Sequence, residues 1–383
     1  INKMAILNTR SPKWFSITGN SSLSYAELKL YVYDNNIGSP PATPTYTIRK
    51  YSLSGQTEIF FEVSELVRDE IDVLFDGNYN GQGVWTKADL VSYDANNVVL
   101  NTSTETIISL DGYNYFEEDG ADTNPVMITN RELFVLEDNT FRIPIYTINE
   151  PTITFYKDGE IIATETFQAA DKAEYQIRYA SIYGDANNWD TFAERVIEDG
   201  GVDFEDSVCL QSFFNNYSIG AVDKIEVSVD GKIETIKVNV IEECKFDPKK
   251  ITFINKFGAL QDMYFFKKAV EKMSVKKESY KANILNANKT YSRSSHTNRD
   301  FNITAKESTT LSSGFLSEEY NEVFKQMMLS EKVWITNVKE GVEQVLPINV
   351  KTSNITYKTS LNDRLVDYTF DFENSYNVIN NIR

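Results

Sequence analysis

His296, Cys209 and Cys244 are the side chains of this 383-residue chain best suited to shuttling a proton, attacking as a nucleophile or holding a transition metal, and their number limits them. With one histidine, a Ser-His-Asp triad would have to run through His296, which sits in a polar stretch with no Gly-x-Ser-x-Gly partner. One His and two widely separated Cys do not supply a zinc site. Two cysteines are also too few for a disulfide framework; they read as free, buried thiols of a protein made in a reducing cytoplasm. There is no G-x-x-x-x-G-K-[ST] phosphate loop and no G-x-G-x-x-G opening a helix, and Gly81-Gln82-Gly83 falls between strand-like segments as a turn would. Glycoside hydrolysis needs only two carboxylates, but among 56 acids a suitable pair is expected by chance and decides nothing. The inventory predicts a chain without catalytic residues, metal or cofactor.

Charge is the more informative feature. The run Glu117-Glu118-Asp119-Gly120-Ala121-Asp122 offers clustered carboxylates to a hard cation, yet its spacing departs from the EF-hand ligand pattern and fits a solvated linker. Residues 1–244 carry a formal charge of −23, residues 245–300 carry +8 and the remainder −3, within a total of −18. So acidic a chain is not built chiefly for nucleic acid, whose phosphates need a basic face. A basic band on an acidic body can instead dock copies of the chain by opposite charge. The candidate contact residues are Lys267, Lys268, Lys272, Lys276, Lys277, Lys281, Arg293 and Arg299. Their alternative role is as the solvated face of a strand pair.

The same band carries a resemblance. Phe253-Ile254-Asn255-Lys256-Phe257-Gly258, followed by Tyr264-Phe265-Phe266 and a Lys-rich strand, resembles structural tail proteins of tailed bacteriophages that infect Bacteroidetes, crAss-like phages included. Phe61 to Asp69 is similar to the same group, as is the ending, from Leu311 through Met328 to Ile335 and Leu346-Pro347-Ile348 to Tyr368–Glu373. The resemblance implies a virion protein made in the bacterial host cytoplasm, a ring or collar subunit contacting its own copies and other tail or portal-proximal proteins. The alternative is a receptor- or glycan-binding adhesin, with Tyr113, Tyr115 and Phe116 as rings that could stack on sugars.

These residues must be held by a mainly β chain. Its length predicts two or three domains, and a 13% aromatic content favours half-buried strands. No apolar run approaches a membrane span, and the first thirty residues show no signal-peptide core. Residues 1–125 read as a β-sandwich-like domain. In it Leu28, Leu30 and Val32 alternate with Lys29, Tyr31 and Tyr33, and strands are expected near 82–94 and 104–110. Ser64 would cap a short inserted helix with Leu66, Val67, Ile71 and Leu74 on one face.

Residues 126–245 read as an immunoglobulin-like β domain, because Asp158-Gly159 and Asp230-Gly231 each sit between strand-like runs and suit a type I′ turn. Between them Trp189, Phe192, Val196 and Ile197 lie at helical spacing. Residues 246–383 read as a C-terminal β domain. In it Phe266, Val270 and Met273 fit a helix, while the flanking residues and the resemblance favour strands. A polar loop at 283–299, mobile or ordered only against a neighbour, and a helix near 317–329 capped by Ser317 complete it. That helix presents Leu316, Tyr320, Val323, Phe324 and Met327 as its apolar face.

Overall fold

The computed structural model describes residues 6–34, 39–79, 83–118, 124–136, 140–147, 149, 151–166, 176–183, 222–241, 243, 245–339, 342–357 and 365–379. Cys209, Cys244, the segment Trp189–Ile197 and most of the acidic run lie outside these residues. The fold is mainly β, with several sheets and sandwich-like packing. It forms two compact units, neither of them a continuous span. Unit 1 holds residues 1–242, 252–263 and 319–331, and unit 2 holds 243–251, 264–318 and 332–383.

The first lobe of unit 1 comprises β1 (Ile6–Asn8), β2 (Trp14–Thr18), β3 (Tyr25–Asp34), β4 (Tyr46–Tyr51), β5 (Glu58–Glu62), α1 (Ser64–Arg68), β6 (Val84–Tyr93) and β7 (Val99–Leu110). A five-stranded sheet in the order β1-β7-β6-β3-β4 is accompanied by the β2–β5 pair. Between them lie Phe15, Ile17, Leu28, Leu30, Ile59, Phe61 and Val67. Each such side chain contributes about 1.5–3 kcal/mol when fully buried. The period-2 pattern of β3 therefore appears as drawn, with Leu28 and Leu30 inward.

The inserted helix differs from its expectation. It is only five residues long, its N-cap is Val63, and Leu74 stands 76% exposed. The Ser64 hydroxyl, expected to cap, instead donates to the Ser11 carbonyl at 2.7 Å and accepts from the Lys13 N–H at 2.7 Å.

The second lobe comprises β8 (Glu132–Leu136), β9 (Thr140–Thr147), β10 (Thr152–Lys157), β11 (Glu160–Thr166), β12 (Gln176–Tyr183), β13 (Lys224–Val229) and β14 (Lys232–Ile241). Its sheet order is β11-β10-β13-β14-β8, beside the β9–β12 pair, around Val135, Ile143, Phe155, Ile225 and Ile236. Both Asp-Gly turns form as expected, with φ of 50° and 85° at Asp158-Gly159 and 52° and 75° at Asp230-Gly231. Two successive positive φ values are what a type I′ hairpin requires.

The strands β15 (Lys249–Ile254) and β16 (Leu260–Phe265) are each divided between the units. The turn joining them closes unit 1 from within. Asn255 is fully buried, and its side-chain oxygen accepts from the Phe257 and Ala259 N–H groups at 3.0 and 3.2 Å. Its amide donates to the Met127 carbonyl at 2.7 Å and to Gln261 at 3.0 Å. Gly258, at φ 81°, approaches Leu110 so closely that a Cβ there would sit 2.7 Å from the Leu110 Cβ.

The helix α2 (Tyr320–Leu329) is the second piece that joins unit 1 from far along the chain. Gln326, also buried, accepts from the Lys256 N–H at 3.1 Å, and the Thr129 hydroxyl lies 2.7 Å away. Tyr320 accepts from the Phe134 N–H at 3.0 Å, and burial pushes its hydroxyl up to about 12. Tyr320, Val323, Phe324 and Met327 form the buried face that their spacing predicts. Ser317, by contrast, is not the cap. Leu316 and Ser317 form the short strand β19, and the helix starts after Glu319 without a side-chain cap.

Unit 2 contains β17 (Val270–Lys281), β18 (Asn298–Ser312), β19 (Leu316–Ser317), β20 (Val333–Lys339), β21 (Val342–Val350), β22 (Leu365–Val366) and β23 (Thr369–Asn374). Antiparallel pairing links them in the order β20-β21-β23-β18-β17, and β19 pairs with β22. Phe265 packs edge-on against Phe370 and Phe372, at 6.0 and 5.8 Å between centroids, in a core completed by Leu311, Val333 and Ile348.

Candidate functional site

The basic band forms a projecting ribbon. β23 pairs with β18 only over Ser308–Ser312, whereas β17 pairs with β18 along its whole length to Lys281↔Asn298. Beyond Lys272 the two strands run on as a hairpin of about nine residues a side, roughly 30 Å at 3.3 Å per residue. Near the base, the Val378 N–H donates to the Ala305 carbonyl at 2.8 Å. Every residue of β17 is exposed.

Register decides what each face carries. Glu271, Met273, Val275 and Lys277 alternate with Val270, Lys272, Ser274 and Lys276. A bulge between the Lys276↔Thr304 and Glu278↔Phe301 pairs, with Asn302 at φ 50°, inserts one extra residue in β18. That shift moves Phe301 to the side of Tyr280, where the rings meet edge-on at 5.6 Å. One face therefore shows Met273, Val275 and Ile303, and the other Val270, Tyr280 and Phe301, all between 42 and 62% exposed. At the base of the first face lies a cleft of about 300 Å3 floored by Ile335, Leu346, Ile348 and Phe372.

The eight predicted contact residues are distributed along this arm. Lys267, half-buried before the ribbon starts, pairs with Glu243 at 3.3 Å. Lys268 is exposed just ahead of β17. Lys272 and Lys276 point to the Tyr280 side and Lys277 and Lys281 to the Met273 side, with Lys277 bridging to Asp300 at 2.7 Å. Arg299 stands opposite Tyr280, and Arg293 is exposed in the tip. The polar stretch expected as a loop is that tip. Ala282 donates to the Thr297 carbonyl at 2.7 Å, and the Asn286 side chain accepts from the Asn288 and Thr290 N–H groups at 3.0 Å each. His296 is exposed there.

The apolar residues of the arm had no place among the predicted contacts. Lysines interleaved with Met, Val, Tyr and Phe, with no uniform apolar face, are the signal that marks them. At the root, Lys306 at 3.0 Å, with Lys351 at 3.5 Å, holds the Glu373 carboxyl below its ordinary range.

The rings expected beside the acidic run belong to unit 1. Tyr113 is buried, its hydroxyl pushed up to about 12 by desolvation. Tyr115 donates to Glu322 at 2.5 Å beneath the Lys325 ammonium, 3.5 Å from its ring centre. Of the three, Phe116 stands fully in solvent. Glu118 pairs with Lys256 at 2.7 Å. Desolvation would raise its carboxyl, but the Lys256 ammonium and the Tyr115 N–H overcome this and leave it below the ordinary value of 4.5. Among the described residues, no group of three His, Cys, Asp or Glu side chains is placed to hold a metal ion, and no helix is long and apolar enough to cross a membrane.

No family model and no curated protein matches the chain. Among solved structures, the crystal structure of calcium binding domain CBD12 of CALX1.1 is 10% identical, covering 60% of this chain and 93% of that one, at a TM-score of 0.18. A likeness that weak carries no argument about fold or function.

Proposed function

We propose that the chain is a non-enzymatic structural subunit of a bacteriophage tail, built into a ring or collar of the virion. It contacts its own copies and other tail or portal-proximal proteins. The observation that carries this reading is the ribbon. A two-stranded hairpin is marginal in water by itself, and this one holds six large apolar side chains in solvent on its two faces. Such a surface gains by being covered, and the interleaved lysines select an acidic cover. The division between an acidic body of −23 and a band of +8 supports the same reading, as does the resemblance carried by three segments of sequence. A ring requires a head-to-tail contact between two different patches, and the charge division provides two.

Sedimentation velocity of the purified chain across a salt series tests this. The expected result is a discrete oligomer at low salt that dissociates as the ionic strength rises. A monomer at every concentration and salt would contradict it.

A further inference from the structure

Two features of the arm specify its partner surface more closely than net charge does. Its lysines are split between both faces of the ribbon, and each face also carries exposed apolar side chains: Lys272 and Lys276 share theirs with Val270, Tyr280 and Phe301, and Lys277 and Lys281 with Met273, Val275 and Ile303. A complementary surface must present carboxylates around an exposed apolar residue.

Unit 1 has such a surface in α1 and the residues that follow it. Glu65, Asp69, Glu70, Asp72 and Asp76 are all exposed there, and Leu74 stands among them with 76% of its surface in solvent. The cation of this segment, Arg68, is bonded to Glu331, within unit 1. The segment thus faces solvent with negative charge and one apolar knob. Resting on the reading of the chain as an assembling subunit, we infer that the ribbon of one copy is seated on residues 65–76 of the next, lysines against carboxylates and Met273 and Val275 against Leu74. The contact is head-to-tail, since the arm and its seat are different parts of the chain.

Charge reversal tests the pairing in the full-length protein. Lys277→Glu and Lys281→Glu, the two lysines on the Met273 face, are together expected to weaken self-association roughly tenfold or more, as are Glu65→Lys and Asp69→Lys together. The chain carrying all four changes is expected to associate again. If arm reversal abolishes association and seat reversal leaves it intact, the seat is overturned while the assembling subunit stands. If neither matters in a protein that still assembles, the inference falls alone. Failure of the parent chain to assemble would defeat the underlying reading.

A second measurement is independent of how the variants fold. A photo-crosslinking amino acid in place of Met273 is expected to join peptides from residues 65–76 of another copy. Crosslinks to a foreign protein, to nucleic acid or to another part of the copy would overturn the inference.

Discussion

The Asn255 side-chain amide donates to the main-chain carbonyl of Met127 at 2.7 Å, across 128 positions of sequence. Through that bond the turn between β15 and β16 reaches the second lobe of unit 1, while the Tyr113 N–H of the first lobe donates to the Lys256 carbonyl at 2.7 Å. One short turn therefore ties both lobes, with α2 bonded to the same turn through Gln326.

Asn255→Ala would strand the Ala259 N–H and the Met127 carbonyl in a buried site and remove the acceptor of the part-buried Phe257 N–H. At about 1–3 kcal/mol for each unsatisfied group, the expected loss is about 3–5 kcal/mol, read as a lower urea midpoint for unfolding. A loss under about 1 kcal/mol would show that the turn is not the tie described.

Two glycines with nearly the same φ separate backbone strain from crowding. Gly159, at φ 85°, has nothing within 4 Å of a new Cβ, so Gly159→Ala is expected to cost about 1–2 kcal/mol from conformation alone. Gly258→Ala adds the 2.7 Å encounter with Leu110 and is expected to cost about 1–3 kcal/mol more. Equal thermal shifts for the two variants would contradict the close approach.

Acid should loosen the Glu118–Lys256 pair in a predictable window. The folded carboxyl titrates below its ordinary 4.5, so its contribution is complete above that value and is lost as pH falls through the lower, folded one. With a third of Glu118 exposed, the difference from Glu118→Gln is expected to stay within about 1 kcal/mol at neutral pH and to shrink as the pH falls below the ordinary carboxylate range. Parallel denaturation curves at pH 7 and pH 3.5 measure it, and a gap that widens in acid would refute the sign.

Local patterns made part of this fold legible. The two Asp-Gly turns, the alternation of β3 and the apolar face of α2 each follow from a period or a turn chemistry within a dozen residues. Leu74 shows where that reasoning ends, since helical spacing placed it on the buried face and the helix stops at Arg68. The inclusion of Thr252–Met263 and α2 in unit 1 depends on bonds from Asn255 and Gln326 to residues more than a hundred positions away, which no periodicity encodes. In the arm the preference for strands over a helix is met, since β17 and β18 pair along the whole of β17, but nothing local indicated that β17 would be exposed along its entire length.

Because the arm's apolar residues pack on little, replacing them should separate assembly from folding. Met273→Ser with Val275→Ser and Phe301→Ser is expected to change stability by less than about 0.5 kcal/mol per site and to reduce self-association sharply. Calorimetry and sedimentation on the same preparation would check both. Loss of stability with association unchanged would assign these residues to the core of unit 2.

Electron microscopy of the purified chain at low salt tests the central claim most directly. The account predicts closed rings of uniform subunit number in class averages of wild-type protein, and dispersed single particles for the Lys277→Glu, Lys281→Glu reversal. Wild-type fields containing only single particles, at concentrations where tail subunits would be assembled, would contradict it.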